Sequence, residues 1–278
     1  MTHPYIYIAT RANETHSIIW HETHPRHLAG RGDPRRITQT LRAAGWKNLS
    51  DPDYPHVVLA SPDYRHTLVL EPEAQPYQPW WRIRGHSQDH GWYTEFGAHT
   101  PVEILAGLTD ALISPEPTTM PADVWATLTS ARWTYDRDER GNETATHPAG
   151  TLHLRRRTVG PGERFFWTAE AGLHHAGGGR DIVWQASLDD EMPPHLIAAF
   201  ATALANHDPV QRGRGDVPHD HLVTQKERGP QGEELAAAHE ARLKAVRAAA
   251  RKARRGAAVT TRNGPVPATA PTPVVRGR

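Results

Sequence analysis

Trp80, Arg82 and Arg84 alternate along a short strand-favouring run, and alternate side chains of a strand point to the same side of a sheet. Trp81 and Ile83 occupy the positions between them. If those two residues are core, the other side presents an aromatic ring with two guanidinium groups. Such a surface can stack on bases and contact phosphates, at about 1 to 3 kcal/mol per stacked base. Alternatively, the aromatic residues are core and the arginines only solubilise a sheet face.

A similar surface is predicted about 70 residues later in the sequence. Alternation places Arg155 and Arg157 on the face opposite Leu152 and Leu154, and Phe166-Trp167 lies on the next predicted strand. These arginines are therefore candidate contacts for nucleic acid.

Three further arginines, Arg31, Arg35 and Arg36, lie on a glycine-containing turn that runs into a predicted helix at Asp33-Pro34. Free backbone N–H groups at a helix N-terminus attract anions, so a phosphate could dock there. The alternative is a capped connector with solvated arginines, because Asp33 can itself satisfy the helix end.

The end of the chain is strongly basic. Residues 241–278 hold ten Lys or Arg and no acid, whereas residues 1–240 hold 22 basic and 31 acidic side chains. An acid-free basic tail is typical of binding to nucleic acid, although it could simply solubilise the protein. We expect a solvated or binding-induced helix over Gln231–Arg255 and disorder from Gly256. The tail residues proposed to contact phosphates are Arg247, Arg251, Lys252, Arg254 and Arg255.

Other chemistry finds little support in the sequence. The absence of cysteine excludes disulfides and thiolate chemistry, and the 19 histidines match no zinc-ligand spacing. Neither a phosphate-binding loop nor a nucleophile elbow is present. We therefore expect no enzyme, no catalytic residue, no metal and no cofactor. The apolar runs are too short to cross a bilayer, so we expect no membrane contact and a cytoplasmic location, at the nucleoid if the partner is DNA.

Two diverged copies of one unit account for most of the chain, because the same landmarks recur in the same order. The offsets are 87, 84, 86 and 92 residues, and insertions in loops explain the differences. The matches are Thr40-Leu41 and Trp46 with Thr127-Leu128 and Trp133, Thr67-Leu68-x-Leu70 with Thr151-Leu152-x-Leu154, Trp80-Trp81 with Phe166-Trp167, Trp92 with Trp184, and Pro101, Leu108 and Leu112 with Pro193, Phe200 and Leu204.

The predicted fold class is α+β, with two pseudo-symmetric repeats that each contain about four antiparallel strands and a packed helix. We expect an N-terminal hairpin, Tyr5–Thr10 with Ser17–Glu22, to add edge strands to the first repeat. The predicted segments are 1–32 (hairpin and connector), 33–116 and 117–207 (the repeats), 208–230 (a polar linker) and 231–278 (the basic tail).

Several motifs, mostly in the first repeat, resemble an actinobacterial family, the duplicated domain of unknown function 317. The resemblance covers roughly residues 20–205; in the second repeat Ala149-Gly150 replaces a Pro-Asp pair and Arg132 replaces a glycine. A family without an assigned activity implies the repeat but no catalytic residues. The motifs are Pro25–Pro34, Leu41–Trp46, Ser61-Pro-Asp63, Trp80–Ile83, Thr100–Glu103 and Leu108–Leu112.

Paired units of this layout are similar to the Whirly and Pur-alpha type repeats, which bind single-stranded nucleic acid on the sheet, although a shared layout is only an analogy. The sequence thus predicts a non-enzymatic protein that binds DNA or RNA, single-stranded nucleic acid included. One alternative is a protein–protein adaptor with an acidic body and an incidental tail, and another is an enzyme acting through histidines and carboxylates between the repeats. Open sheet edges also predict a homodimer.

Overall fold

The computed structural model describes residues 18–75, 78–87, 90–158, 165–174, 179–218 and 220–262. The α-helices are α1 (Arg35–Ala43), α2 (Val102–Ile113), α3 (Val124–Ser130), α4 (Pro194–Ala205) and α5 (Gly232–Arg262). The strands are β1 (Trp20–His24), β2 (Lys47–Asn48), β3 (Val57–Ala60), β4 (His66–Leu70), β5 (Pro79–Ser87), β6 (His90–Gly97), β7 (Thr134–Arg137), β8 (Glu143–Thr146), β9 (Leu152–Thr158), β10 (Phe165–His174), β11 (Arg180–Asp189), β12 (Val210–Gly213) and β13 (Thr224–Lys226).

Ten of these strands form one continuous antiparallel sheet, in the order β2-β3-β4-β5-β6-β11-β10-β9-β8-β7. Each repeat contributes a five-stranded meander, and the two meanders join where β6 pairs with β11, with Phe96 opposite Ala186. The α+β class is confirmed. Each repeat has an edge strand, β2 or β7, that the sequence analysis did not place. β2 is only two residues long, which is too short to show alternation.

Four helices cover one face of this sheet. α2 and α4 pack against each other at the centre, while α1 packs beside α2 and α3 packs beside α4. Gly107 permits the central contact, because a Cβ at this position would lie 2.4 Å from the Cβ of Ala203. Both repeats contribute buried side chains to the same hydrophobic core, so neither half has a core of its own.

The internal repeat is present, with one change of alignment. Leu59 faces Leu68 in the first repeat, and Ala145 faces Leu154 in the second, so Leu68 corresponds to Leu154 at an offset of 86. The predicted offset of 84 was wrong at this strand. A shift of two residues preserves the alternation of a strand, so the sequence pattern could not distinguish the two alignments.

A separate three-stranded sheet has β1 at its centre, between β12 and β13. Trp20–His24 therefore does not extend the first repeat, and residues 208–230 contain strands in addition to connecting loops. Both expectations were wrong because these short polar strands pair with residues about 190 positions away. The partner predicted for β1, Tyr5–Thr10, lies outside the described residues.

The C-terminal helix α5 packs against α1. Leu243 is buried, the Nη2 atom of Arg242 lies 2.6 Å from an Asp110 carboxylate oxygen, and His239 Nε2 lies 2.7 Å from Gln39 Oε1. The prediction of a solvated or binding-induced helix was wrong, because polar pairing supplements its thin apolar stripe. The helix also continues past Gly256 to Arg262, where disorder was predicted; residues 263–278 lie outside the described part.

Candidate nucleic-acid interface

The side of the ten-stranded sheet opposite the four helices is called the open face here. The side chains that alternate onto it along β5 and β9 are half-buried or exposed, whereas Trp81, Ile83, Leu152 and Leu154 are buried on the helix side. The predicted sidedness of Arg82, Arg84, Arg155 and Arg157 is therefore confirmed.

Strand register aligns an arginine and an aromatic residue from each repeat across the open face. Arg84 is opposite Tyr93, and Arg157 is opposite Phe166. The guanidinium carbon of Arg84 lies 5.5 Å from the centre of the Tyr93 ring, and Phe166 is 37% exposed. Within the described residues, no carboxylate pairs with Arg84 or Arg157. These four residues are called the arginine–aromatic row below.

The other two arginines of the open face are paired with acids. Arg82 forms an ion pair with Glu71, and Arg155 Nη1 lies 3.4 Å from Glu170 Oε2. The hydrogen bond that Arg82 donates to Glu71 raises the pKa of Arg82. Burial and a hydrogen bond to Glu95 raise the pKa of Tyr93 to about 12, so this ring is neutral at physiological pH. A phosphate would have to compete with carboxylates at Arg82 and Arg155.

Trp80 is not the exposed ring beside Arg82 and Arg84 that strict alternation predicts. A β-bulge between Pro79 and Trp81 interrupts the alternation, and Trp80 packs partly against the core. Its indole Nε1 donates to Ala74 O at 2.9 Å, and the guanidinium of Arg31 lies 4.9 Å from its ring. The Trp80 side chain is therefore already engaged in contacts within the protein and does not offer a free ring for base stacking.

The predicted phosphate site before α1 is occupied by protein groups. Asp33 Oδ1 accepts the backbone N–H of Arg35 at 2.9 Å, and the same carboxylate pairs with the Arg35 guanidinium. Arg31 is directed to Trp80, and Arg36 lies close enough to Glu103 to help lower its pKa. The structure does not bring these three arginines together.

The last described turns of α5 present five cations. All five are exposed, and within residues 232–256 no carboxylate pairs with any of them. α5 and α1 run in the same direction, so this end of α5 lies beside the first repeat. Arg254 Nη2 and Pro62 Cγ each lie 3.7 Å from the position that a Cβ atom on Gly45 would occupy. These residues, called the basic end of α5, are Arg247, Arg251, Lys252, Arg254 and Arg255.

Sequence reasoning missed two residues beside the basic end of α5. The Nζ atom of Lys47 lies 3.8 Å from the centre of the Tyr64 ring, and Tyr64 is 58% exposed. Tyr64 has a φ of 61°, which is unusual for a residue other than glycine. One feature of the sequence could have revealed the unusual conformation of Tyr64: the second repeat has a glycine, Gly150, at the equivalent turn position.

Histidines also meet in the structure, although not as a metal site. The ring of His147 lies 4.7 Å from that of His27, 5.9 Å from that of His207 and 5.4 Å from that of Trp133. Burial lowers the pKa of His27 to about 3 and that of His147 to about 4. Nowhere in the described ranges do three or more His, Cys, Asp or Glu side chains form a group that could hold a metal ion. The same ranges contain no helix that is long and apolar enough to cross a membrane.

A family comparison agrees with the two repeats. The model of the family described as SPDY, a domain of unknown function (DUF317), matches residues 60–118 and again residues 146–210. Each match lies largely within one of the two repeats, and the two matched regions are called the first and second SPDY domains below. No curated protein and no solved structure gave a significant match to the chain.

The two SPDY domains begin at equivalent turns. Residues 61–64 read Ser-Pro-Asp-Tyr, the four letters of the family's description, and residues 147–150 read His-Pro-Ala-Gly. The N–H of residue 61 donates to the carbonyl of residue 66, and the N–H of residue 147 donates to that of residue 152, both at 2.9 Å. The SPDY turn is therefore the same structure in both domains, with tyrosine in the first and glycine in the second.

Proposed function

We propose that this protein binds nucleic acid without catalysing a reaction, using the basic end of α5 as its main phosphate contact and the open face as a second surface. The observation that carries this proposal is the group of five exposed cations on a helix docked against the first SPDY domain, none of them paired with an acid in the described part of that helix. Cations of this kind bind the phosphate backbone and release its counterions.

Docking gives the basic end of α5 a fixed direction. Arg242 and Leu243 hold the helix on the body, so its charges act at one place on the surface. The rest of the chain has an excess of acidic groups, which would repel a polyanion elsewhere. Binding should therefore be local to this end of the first domain and should weaken with salt.

The arginine–aromatic row supports a second contact. Strands four positions apart are separated by about 19 Å, so Arg84 and Arg157 could contact phosphates at either side of a bound strand, with Tyr93 and Phe166 between them. The exposed ring of Phe166 and the half-buried ring of Tyr93, each beside a guanidinium group, suit base stacking. The analogy drawn from the sequence with the Whirly and Pur-alpha type repeats, which bind single strands on their sheets, also favours a single strand.

Fluorescence anisotropy with the full chain tests the proposal, using a labelled oligothymidylate and a duplex of equal length at low salt. Replacing Arg251, Lys252, Arg254 and Arg255 by glutamine should weaken binding to both probes at least about tenfold. The matched control replaces four exposed cations elsewhere, Arg137, Arg140, Arg214 and Lys226, and should leave affinity nearly unchanged. Absence of binding by the wild type, or equal losses in the two variants, would contradict the proposal.

The contribution of the open face is tested separately. Arg84→Gln with Arg157→Gln should reduce affinity for the single strand more than for the duplex, because only unstacked bases can reach the rings. The control is Arg137→Gln with Arg140→Gln, which removes the same charge from the edge of the sheet. If the two double variants reduce affinity equally, the open face does not contact the single strand.

A protein–protein adaptor is a second candidate for the open face. Ile182 is 53% exposed beside a depression lined by Pro79, Gly97 and Gln185, and Arg82 and Arg155 are already neutralised by acids. Exposed apolar groups with paired charges suit a protein partner. If Arg84→Gln with Arg157→Gln leaves nucleic-acid binding intact, the adaptor explains this face better.

A further inference from the structure

We infer that the turn at residues 61–64 of the first SPDY domain is a base-stacking site for single-stranded nucleic acid, with Tyr64 as the stacking ring and Lys47 and Arg254 as phosphate contacts. This inference rests on the proposed function and gives it a specific site. It concerns residues that lie apart from the arginine–aromatic row, at the outer end of the first domain.

The fold of the turn does not require the side chain of Tyr64. Ser61 Oγ donates to Asp63 Oδ1 at 2.6 Å and accepts the N–H of His66 at 2.9 Å, so neighbouring side chains hold the turn. The equivalent Gly150 adopts the same left-handed conformation, with a φ of 69° against 61° for Tyr64. Glycine is the residue that fits this conformation without strain. A strained tyrosine is therefore better explained by a role of its ring, since strained residues cluster at functional sites.

The environment of the ring suits a stacked base. Tyr64 is 58% exposed, and the ammonium of Lys47 covers one side of the ring at 3.8 Å. A base can stack only on the other face of the ring, and Lys47 together with the Arg254 guanidinium near Gly45 and Pro62 would then contact the phosphates on either side of that base. One accessible ring face fits an unstacked base and not a paired one.

The site is built in the first domain only. The register that matches Trp46 with Trp133 places Thr134 where the first domain has Lys47, and Gly150 stands in place of Tyr64. α5 packs on α1, whereas α3, the second-domain counterpart of α1, makes its main contacts in the described structure with α4, β7 and β8. The ring and both cations are therefore present together in the first domain and absent together from the second, as the inference requires of a single site.

Anisotropy titration of the full chain with labelled oligothymidylate longer than about 16 nucleotides, an upper site size for one binding fold, tests the inference. Tyr64→Gly should lower affinity at least about fivefold, the lower limit for loss of one stacked base. Tyr64→Phe should retain the affinity, because it keeps the ring. Tyr54→Gly is the control, since Tyr54 is equally exposed at 62% and no cation lies over its ring in the described structure.

The outcomes separate this inference from the proposed function. If the wild type binds and Tyr64→Gly binds equally well, the stacking site is wrong while the proposed function stands. If the wild type does not bind, both are wrong. Equal losses in Tyr64→Gly and Tyr54→Gly, or a Tyr64→Gly effect of the same size on a duplex, would also overturn it. Thermal melting of each variant shows that the fold is retained, as the glycine at position 150 leads us to expect.

Discussion

The side chain of Arg212 is only 3% exposed, and it connects the three-stranded sheet to α2. Its Nη2 lies 2.6 Å from Glu103 Oε2, and its Nε donates to Ala29 O at 3.1 Å. Arg212→Met should lower the free energy of unfolding by about 3 to 5 kcal/mol, because it leaves the Glu103 carboxylate buried without its partner. Urea denaturation measures this change. The control Arg84→Met removes an exposed arginine and should cost less than about 0.5 kcal/mol; equal costs would show that the buried ion pair is unimportant.

Histidine burial predicts a loss of stability in acid. The folded state holds the pKa of His27 at about 3, below its usual 6.5, so the unfolded chain binds a proton more readily. Stability is therefore complete above pH 6.5 and falls as the pH drops towards the folded pKa, by about 3 kcal/mol at pH 4 from this residue. Urea unfolding at a series of pH values measures the slope.

His27→Gln should make that slope shallower between pH 6.5 and 4 without abolishing it, since glutamine can keep a contact with Thr151 but does not titrate, whereas the buried His147 still does. The control His90→Gln, at an exposed position, should leave the slope unchanged. A slope that is the same in wild type and His27→Gln would contradict the account.

Alternation sufficed to predict the sidedness of Arg82, Arg84, Arg155 and Arg157, because side chains in a regular strand alternate strictly. It failed at Trp80, where a bulge changes the register without any sequence signal that we recognised. The Tyr64 site was also missed, since it depends on Lys47 and Arg254, which are distant in sequence. Local patterns therefore identify faces but not contacts between distant segments.

Among the elements, α5 differs most from expectation. Leu243→Asp should release α5 from α1, because it buries an unpaired carboxylate against the body. Hydrogen exchange should then increase in α5 but not in the central strands β5, β6, β10 and β11. The control Ala245→Asp lies on the exposed side of the helix and should not alter exchange. Unchanged protection of α5 in Leu243→Asp would show that the helix is held by other contacts.

The element pattern was predictable where contacts are local. The packed helix of each repeat and the helix that follows Asp33-Pro34 were expected, because capping residues and apolar spacing mark such helices. The three-stranded sheet was not, since β1 pairs with strands near the other end of the chain. The docking of α5 depends on Arg242 with Asp110 and His239 with Gln39, and such polar pairs leave no apolar periodicity.

At the scale of the whole molecule, the two SPDY domains share one sheet and one core. Phe96 of the first domain is fully buried, and its ring lies 5.7 Å from that of Phe200 in the second. Calorimetry should therefore show one cooperative unfolding transition for both domains. Phe96→Ala should lower the temperature of that single transition, at a cost of about 3 to 5 kcal/mol. Two separate transitions, with only the first domain affected, would contradict a shared core.

The salt dependence of binding tests the central claim, that the basic end of α5 contacts the phosphate backbone, most directly. Each neutralised phosphate of a single strand contributes about 0.7 to the slope of log affinity against log salt concentration. Replacing Arg251, Lys252, Arg254 and Arg255 by glutamine should make this slope shallower by about 3 for the full chain on oligothymidylate. A slope identical to that of the wild type, whatever the change in affinity, would show that these residues do not contact phosphate.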